Sequence, residues 1–222
     1  MSSQETSGQI RILDWQIAKT LISKLRDRSL PTHQFRNCAK RLSNLLWEFV
    51  LSSEPSLHIK SEKHTPSGTK YDHFDIAKDK VAIVSVLRAA EAMMQDSILY
   101  YEEDFEFVKM VVQRGENGHN FFPLPIPANI KDKLVFIADC MLATGGSFKI
   151  VIDKLMEYGV KIENIRLVNI FASKEGLDFI MKTYPGIILY GISINEDMDS
   201  KKYLEPGVGD FGDRFFNTPA KH

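Results

Sequence analysis

Residues 134–148, LVFIADCMLATGGSF, decide how this chain is read. The run from Leu134 to Ala138 is apolar and its centre, Val135-Phe136-Ile137, is β-rich without polar alternation, as a strand buried on both faces of a parallel sheet requires. Beyond the glycines, Phe148, Val151, Ile152 and Leu155 recur at helical spacing until Gly159, a residue suited to ending a helix. Loop 141–147 therefore joins the carboxyl end of a strand to the amino end of a helix, where free N–H groups and the helix dipole favour an anion. Open α/β sheets bind ligands at that edge. On spacing alone, a plain βα connection accounts for the run as well as a phosphate site does. The chain has no GxxxxGKS or GxxxxGKT, which argues against a P-loop, and the loop after this strand carries no GxGxxG, so a dinucleotide fold has little support.

Outward from this loop the pattern alternates. Apolar strands are expected at residues 81–87, 105–112, 134–138, 165–171 and 187–192, and helices at 89–99, 148–158 and 174–183. That order predicts one parallel, doubly wound sheet. Towards the N-terminus, Asp14 is expected to cap a helix carrying Ile17, Leu21 and Leu25, and Pro31-Thr32 to open a second. The second aligns Phe35, Cys38, Ala39, Leu42, Leu45, Leu46 and Phe49 on one face. The polar stretch 52–79 holds His58, His64 and His73 without metal-motif spacing and reads as a solvated flap or hairpin.

At 222 residues and 44% hydrophobic content, one domain spanning 1–222 is the natural expectation, with the first ten residues or so loose. Basic and acidic residues nearly balance, 28 against 29, which gives a nucleic-acid-binding surface no support. Two cysteines, Cys38 and Cys140, build neither a disulfide framework nor a zinc site, so a reducing compartment is expected. The start MSSQETSGQ is polar and no apolar run approaches transmembrane length, so the expected location is cytoplasmic, with a nuclear pool left open.

Letter by letter, Asp139 with MLATGGS (residues 141–147) resembles the 5-phosphoribosyl-1-pyrophosphate (PRPP) loop of uracil phosphoribosyltransferases, usually DPMLATGGSA. YLEPGVGDFGDRFF (203–216) is similar to the family's uracil-binding segment, YLVPGLGDFGDRYF in fungal and protist members. VAIVSVLRAAEAM (81–93) resembles CGVSILRAGESM, and VVQRGENG (111–118) resembles the IQRDEETA hairpin in part. LRDRSLPTHQFRNCAKRLSNLLWE (25–48) and FASKEGL (171–177) also have family counterparts, so the resemblance covers most of the chain from Leu25 onward and is weak between Ser52 and Asp79. It identifies a divergent member with a type I phosphoribosyltransferase-like fold: a doubly wound parallel sheet, N-terminal helices and a small hood.

The resemblance implies transfer of ribosyl 5-phosphate from PRPP to N1 of uracil, giving UMP and pyrophosphate. It assigns PRPP to Arg88, Arg114, Asp139, Cys140, Met141, Leu142, Ala143, Thr144, Gly145, Gly146, Ser147 and Asp210, with Asp139, Asp210 and Arg88 closest to the chemistry. Uracil falls to Leu204, Gly209, Asp210 and Phe211, largely through main chain, with Gly207, Gly209 and Gly212 permitting close approach. Asp213 and Arg214 are read as a structural ion pair. Magnesium is expected to arrive with the pyrophosphate, and no protein metal site is assigned. GTP activation and a homodimer or homotetramer are further implications.

Several positions depart from the family pattern. Its Gly after Arg-Ala is Ala90, whose Cβ is expected to crowd the pyrophosphate turn. RDEET becomes Arg114, Gly115, Glu116, Asn117 and Gly118; Pro becomes Cys140; Glu205 replaces an apolar residue; and the Gly of FGT becomes Asn217. Ala90 and the altered hairpin favour an alternative, a catalytically weak relative that binds uracil, UMP or PRPP and regulates a partner.

Overall fold

The computed structural model describes residues 5–6, 9–94, 98, 105–115, 118–123 and 125–218. In chain order the strands are β1 (Glu5–Thr6), β2 (Ile10–Ile12), β3 (His58–His64), β4 (Lys70–Ile76), β5 (Val81–Leu87), β6 (Glu106–Gly115), β7 (Gly118–Pro123), β8 (Leu134–Ala138), β9 (Met141–Leu142), β10 (Ile165–Val168), β11 (Phe171–Ser173), β12 (Ile188–Gly191), β13 (Ser193–Asn195), β14 (Asp197–Met198) and β15 (Leu204–Glu205). Among the described residues, eight of them form one sheet in the order β1-β2-β12-β10-β8-β5-β6-β7. The strands from β2 to β6 in that order are parallel, and only the outer β1 and β7 run antiparallel to their neighbours. Chain order reverses between β5 and β8, which makes their carboxyl ends the topological switch point where such sheets take ligands.

Strand periodicity divides the core in two. Val81, Ile83, Phe136 and Ala138 face the core made with helices Gln16–Arg26 and Thr32–Ser52; Ala82, Val84, Val86, Val135 and Ile137 face the core made with helices Gly146–Glu157 and Lys174–Thr183. The sheet is thus doubly wound, as its apolar strands imply. In the first core Trp47 meets Phe136 edge to face at 6.1 Å, and its indole N–H donates to the Met93 carbonyl at 2.8 Å. Ser43 donates to the same carbonyl at 3.0 Å, so the second helix anchors the chain just past Arg88.

Local expectations fare unevenly. Asp14 does not cap the first helix, because Trp15 occupies the cap position and Asp14 pairs instead with Lys19. Ile17 is exposed, and the buried face is Ala18, Leu21, Ile22 and Leu25. In the second helix Cys38, Leu45 and Phe49 lie at the margin of the stripe, while Ser43, Trp47 and Val50 complete it. The helix expected at 89–99 begins as a 3-10 turn, Ala89–Met93, and 95–97 and 99 fall outside the described residues. Within the stretch expected to be loose, β1 pairs with β2 and Ile10 pairs with Leu189. Within stretch 52–79, residues 58–76 form the hairpin of β3 and β4, largely exposed, with His64 opposite Lys70.

The run 187–192 holds the single strand β12, but 165–171 is divided between β10 and β11. After Val168, the N–H groups of Ile170 and Phe171 both turn to the Cys140 carbonyl, and the chain bends into a second parallel sheet, β13-β11-β9. Three neighbouring strands bend in step. Ala138, Val168 and Tyr190 share one row of the large sheet, and Met141, Phe171 and Ser193, three residues further along each strand, share a row of the small one.

Candidate active site

A cavity of about 1300 Å³ opens at the switch point between β5 and β8. From β5 and its turn come Leu87, Arg88 and Ala89; from the bend after β8, Asp139, Met141 and Ala143; from the C-terminal segment, Leu204 and residues 209–213. The structure therefore brings Arg88, Asp139, Met141, Ala143, Leu204, Gly209, Asp210 and Phe211 to one cavity. Thr144, Gly145, Gly146 and Ser147 continue the loop onto the helix Gly146–Glu157, with Gly145 at the cap in the left-handed region (φ 81°). Cys140 and Leu142 turn their side chains into the core and leave only main chain for the site. Arg114 lies in β6 opposite His119, but its side chain, with Glu116 and Asn117, is outside the described residues.

Asp139 sits in the bend itself. Its N–H bonds the Val168 carbonyl at 3.1 Å. Burial pushes its carboxyl up to about 7, against hydrogen bonds from the Met141 and Cys140 N–H groups that pull it down. A carboxyl that is desolvated yet lines a cavity is poised to accept hydrogen bonds from a ligand. Cys140 is no nucleophile: its thiol donates to the Ala89 carbonyl at 3.1 Å, and burial and the neighbouring Asp139 charge raise its pKa.

Two residues that sequence reasoning missed hold the loop from below. The Ser173 hydroxyl donates to the Ala143 carbonyl at 2.5 Å and accepts the Gly176 N–H at 2.8 Å, capping the helix Lys174–Thr183. Gly176 lies so close that a Cβ there would stand 2.1 Å from the Ala143 oxygen. The FASKEGL match was the available signal, but no role could be read from it.

In the C-terminal segment, Phe211 is buried against Phe35 and Phe171, which leaves its main chain for the cavity. Asp210 caps the helix Phe211–Phe216 by accepting the Asp213 N–H at 2.8 Å. A Cβ at Gly207 would fall 2.0 Å from the Leu204 oxygen, so glycine is required there, whereas at Gly212 it would make ordinary contacts. Asp213 and Arg214 are not an ion pair. Arg214 donates to the carbonyls of Leu25, Asp27 and Val208 and lies over Phe35, while Asp213 takes the Arg88 guanidinium at 2.6 Å. Tyr203 and the lysines Lys201 and Lys202 also line the cavity and were not singled out from the sequence.

The family departures have local explanations. Asn217 takes the left-handed position that ends the last helix (φ 58°), which asparagine tolerates, and accepts the Thr32 hydroxyl at 2.9 Å. Glu205 points to solvent. Ala90 is fully buried, and the cavity is lined by its neighbours Arg88 and Ala89, so its Cβ packs the interior rather than crowding the turn. Ala90→Gly is therefore expected to cost about 1 kcal/mol of stability and to leave PRPP affinity within twofold of wild type. A paired thermal melt and PRPP titration checks both, and a clear gain in PRPP affinity would overturn this assignment.

Among the described residues no group of three or more His, Cys, Asp or Glu side chains could hold a metal. The cavity lining includes the carboxylate of Asp210, which suits a magnesium ion held chiefly by ligand phosphates, since that ion keeps its waters and needs one or two carboxylates at most. No helix among the described residues is long and apolar enough to cross a membrane.

A family model described as uracil phosphoribosyltransferase matches residues 12–218. The chain belongs to the uracil phosphoribosyltransferase family. Within it, uracil phosphoribosyltransferase 2 of Schizosaccharomyces pombe is 33% identical over 201 residues, 90% of either chain. The solved AQ2163 protein of Aquifex aeolicus superposes with a TM-score of 0.83 at 23% identity, over 96% of this chain and all of that one. Adenine phosphoribosyltransferase from Trypanosoma brucei, solved with AMP, pyrophosphate and ribose-5-phosphate, aligns at a TM-score of 0.56 and 10% identity over 91% and 90%. These two likenesses concern the fold, the α/β architecture of type I phosphoribosyltransferases.

Proposed function

We propose that this protein is a uracil phosphoribosyltransferase of pyrimidine salvage, joining N1 of uracil to C1 of PRPP as the bond from C1 to pyrophosphate breaks and the N1 proton is released. The observation that carries the reading is the shared cavity: a phosphate-type loop, an arginine turn and a main-chain segment suited to a planar base line one space at the switch point. As pyrophosphate departs, positive charge develops on the sugar, and the site has to hold anions while orienting the ribose. In this reading the 143–147 amides and the Thr144 and Ser147 hydroxyls hold the 5-phosphate at the helix terminus. Asp139 accepts the ribose hydroxyls. Arg88 and Arg114 grip pyrophosphate, and the main chains of Leu204, Gly209 and Phe211 read the uracil edge. Asp210 faces the magnesium that PRPP carries, which neutralises phosphate charge when bound.

Cytosine would set an amino donor where uracil presents a carbonyl, leaving a buried donor facing a donor. The test mixes protein, magnesium, PRPP and labelled uracil and looks for UMP, with cytosine, hypoxanthine and orotate as parallel arms. PRPP binding without UMP would favour the regulatory relative, a reading that loses one of its two supports now that Ala90 is buried away from the cavity. Arg88→Lys or Arg114→Lys is expected to weaken PRPP about tenfold and uracil much less, because lysine keeps the charge but loses the two-pronged fork. Equal weakening of both ligands in paired titrations would indicate a collapsed pocket.

We read 1–222 as a single cytoplasmic domain acting as a homodimer or homotetramer. The exposed β3–β4 hairpin, with Ile59 and Phe74 turned to solvent, is consistent with association. GTP activation has no residues assigned to it.

A further inference from the structure

We infer that Asp213 is a positioning residue that aims the Arg88 guanidinium into the cavity, so that the uracil segment sets the grip on pyrophosphate. The inference rests on the transferase reading above and adds a residue whose partner the sequence did not reveal.

Arg88 is held on several sides. Its Nη2 donates to the Asp213 carboxylate at 2.6 Å, and its guanidinium lies 5.3 Å over the Phe216 ring. The backbone of Gly212 passes beneath, where a Cβ would stand 3.5 Å from Nη2 and 3.6 Å from Nε. Nη1 points towards the Thr218 hydroxyl at a longer 3.4 Å. The Arg88 side chain nonetheless remains 53% exposed, so part of the planar group is available to the cavity it lines.

Asp213 is itself held. Its side chain is 16% exposed, Thr218 donates to the same carboxylate oxygen at 2.7 Å, and its N–H is fixed by Asp210. The chain of contacts thus runs from Asp210, in the base segment, through Asp213 to Arg88 at the end of β5. An arginine has several rotatable bonds, and anchoring one edge of its fork reduces the rotamer freedom lost when the other edge meets a phosphate. A carboxylate near the bound anion would, without this role, only repel it.

The experiment titrates magnesium and inorganic pyrophosphate into wild type, Asp213→Asn, Arg88→Ala and the double variant. It also measures KM for PRPP and for uracil in each active protein. Losing the charge-assisted contact to a half-exposed guanidinium is expected to weaken pyrophosphate about five- to tenfold and to raise KM for PRPP by a similar factor, with KM for uracil within about twofold. In the double variant, Asp213→Asn should add nothing to Arg88→Ala. Unchanged pyrophosphate affinity in Asp213→Asn, additive losses, or an equal rise in both KM values would overturn the assignment, since a merely structural aspartate loosens the helix that also carries the base segment.

Should Asp213→Asn fail to fold, Thr218→Val reads the same coupling. It removes a hydroxyl that donates to the Asp213 carboxylate at 2.7 Å and also lies 3.4 Å from Arg88 Nη1, and it is expected to weaken pyrophosphate two- to threefold, an effect absent once Arg88 is alanine; persistence of that effect would overturn the proposal. The two readings fail separately. Wild type that binds pyrophosphate through Arg88 but makes no UMP overturns the transferase reading alone, whereas wild type that binds no pyrophosphate overturns the role given to Asp213.

Discussion

Asp139→Asn is expected to lower turnover about a hundredfold while raising the melting temperature of the ligand-free protein at pH 8. The amide is isosteric and still accepts the Cys140 and Met141 N–H groups through its oxygen, so the bend keeps its geometry. What is lost is the charge that would hold the ribose hydroxyls. The stability gain follows from the sign of the shift. The carboxyl has a pKa of about 7 in the folded protein against about 3.8 in the unfolded chain, so between those values the folded state carries more protons. Stability therefore falls as pH rises from about 4 and the penalty is complete above about 7. Water at the cavity mouth reduces the penalty, which we place at about 1–3 kcal/mol, or several degrees in a chain of this size. Melts at pH 4 and pH 8 check it: the variant should match wild type at the lower pH and exceed it at the higher. An equal difference at both values would refute the desolvation argument, and unchanged turnover would remove Asp139 from the site.

Gly176→Ala is expected to be strongly damaging although the residue lies outside the cavity lining. The new Cβ would lie 2.1 Å from the Ala143 oxygen and 2.4 Å from Leu142 Cδ2, and a main-chain oxygen does not yield as a flexible side chain does. Either the loop shifts by about 1 Å or the helix Lys174–Thr183 moves away, at a cost of about 2–3 kcal/mol. If the loop holds the 5-phosphate as proposed, a displacement of that size is worth a ten- to hundredfold loss in PRPP affinity. Titration with PRPP and with uracil, alongside a melt, checks the prediction, and wild-type PRPP affinity in the variant would show that the loop is not seated on this helix. Ser173→Ala removes the hydrogen bond to Ala143 without adding bulk and should move PRPP affinity the same way by a smaller factor.

The sequence made the sheet and the loop legible because their physics is local. A run such as Val135-Phe136-Ile137 has few fates other than a buried strand, and the glycines before Phe148 mark where the strand turns into a helix. Periodicity could not show where a continuous apolar run bends, so 165–171 read as one strand although Asn169 and Ile170 separate two. Cap residues were misjudged at Asp14 because Lys19, one turn on, competes for the carboxylate. Side-chain pairing was least legible. Asp213 meets a residue far away in sequence, and the adjacent Arg214 has its donors taken up by carbonyls from another part of the chain. Family comparison singled out Ala90 as a change near the turn, but only burial shows that its methyl group faces inward.

The bent sheet has a consequence for anyone who would recombine this enzyme with its relatives. The loop proposed to hold phosphate, the helix Lys174–Thr183 and the segment proposed to read the base leave the ends of β9, β11 and β13, which are hydrogen-bonded side by side in fixed register. They are not interchangeable cassettes. A chimera that takes residues 193–216 from another enzyme, to accept a different base, would import a β13 shaped for a foreign β11 and would disturb the seat of the phosphate loop through Ser173. A crossover placed before Met141, carrying β9, β11 and β13 together, keeps both pairings and the Ser173 contact to Ala143 intact and is the junction at which such a graft should remain functional.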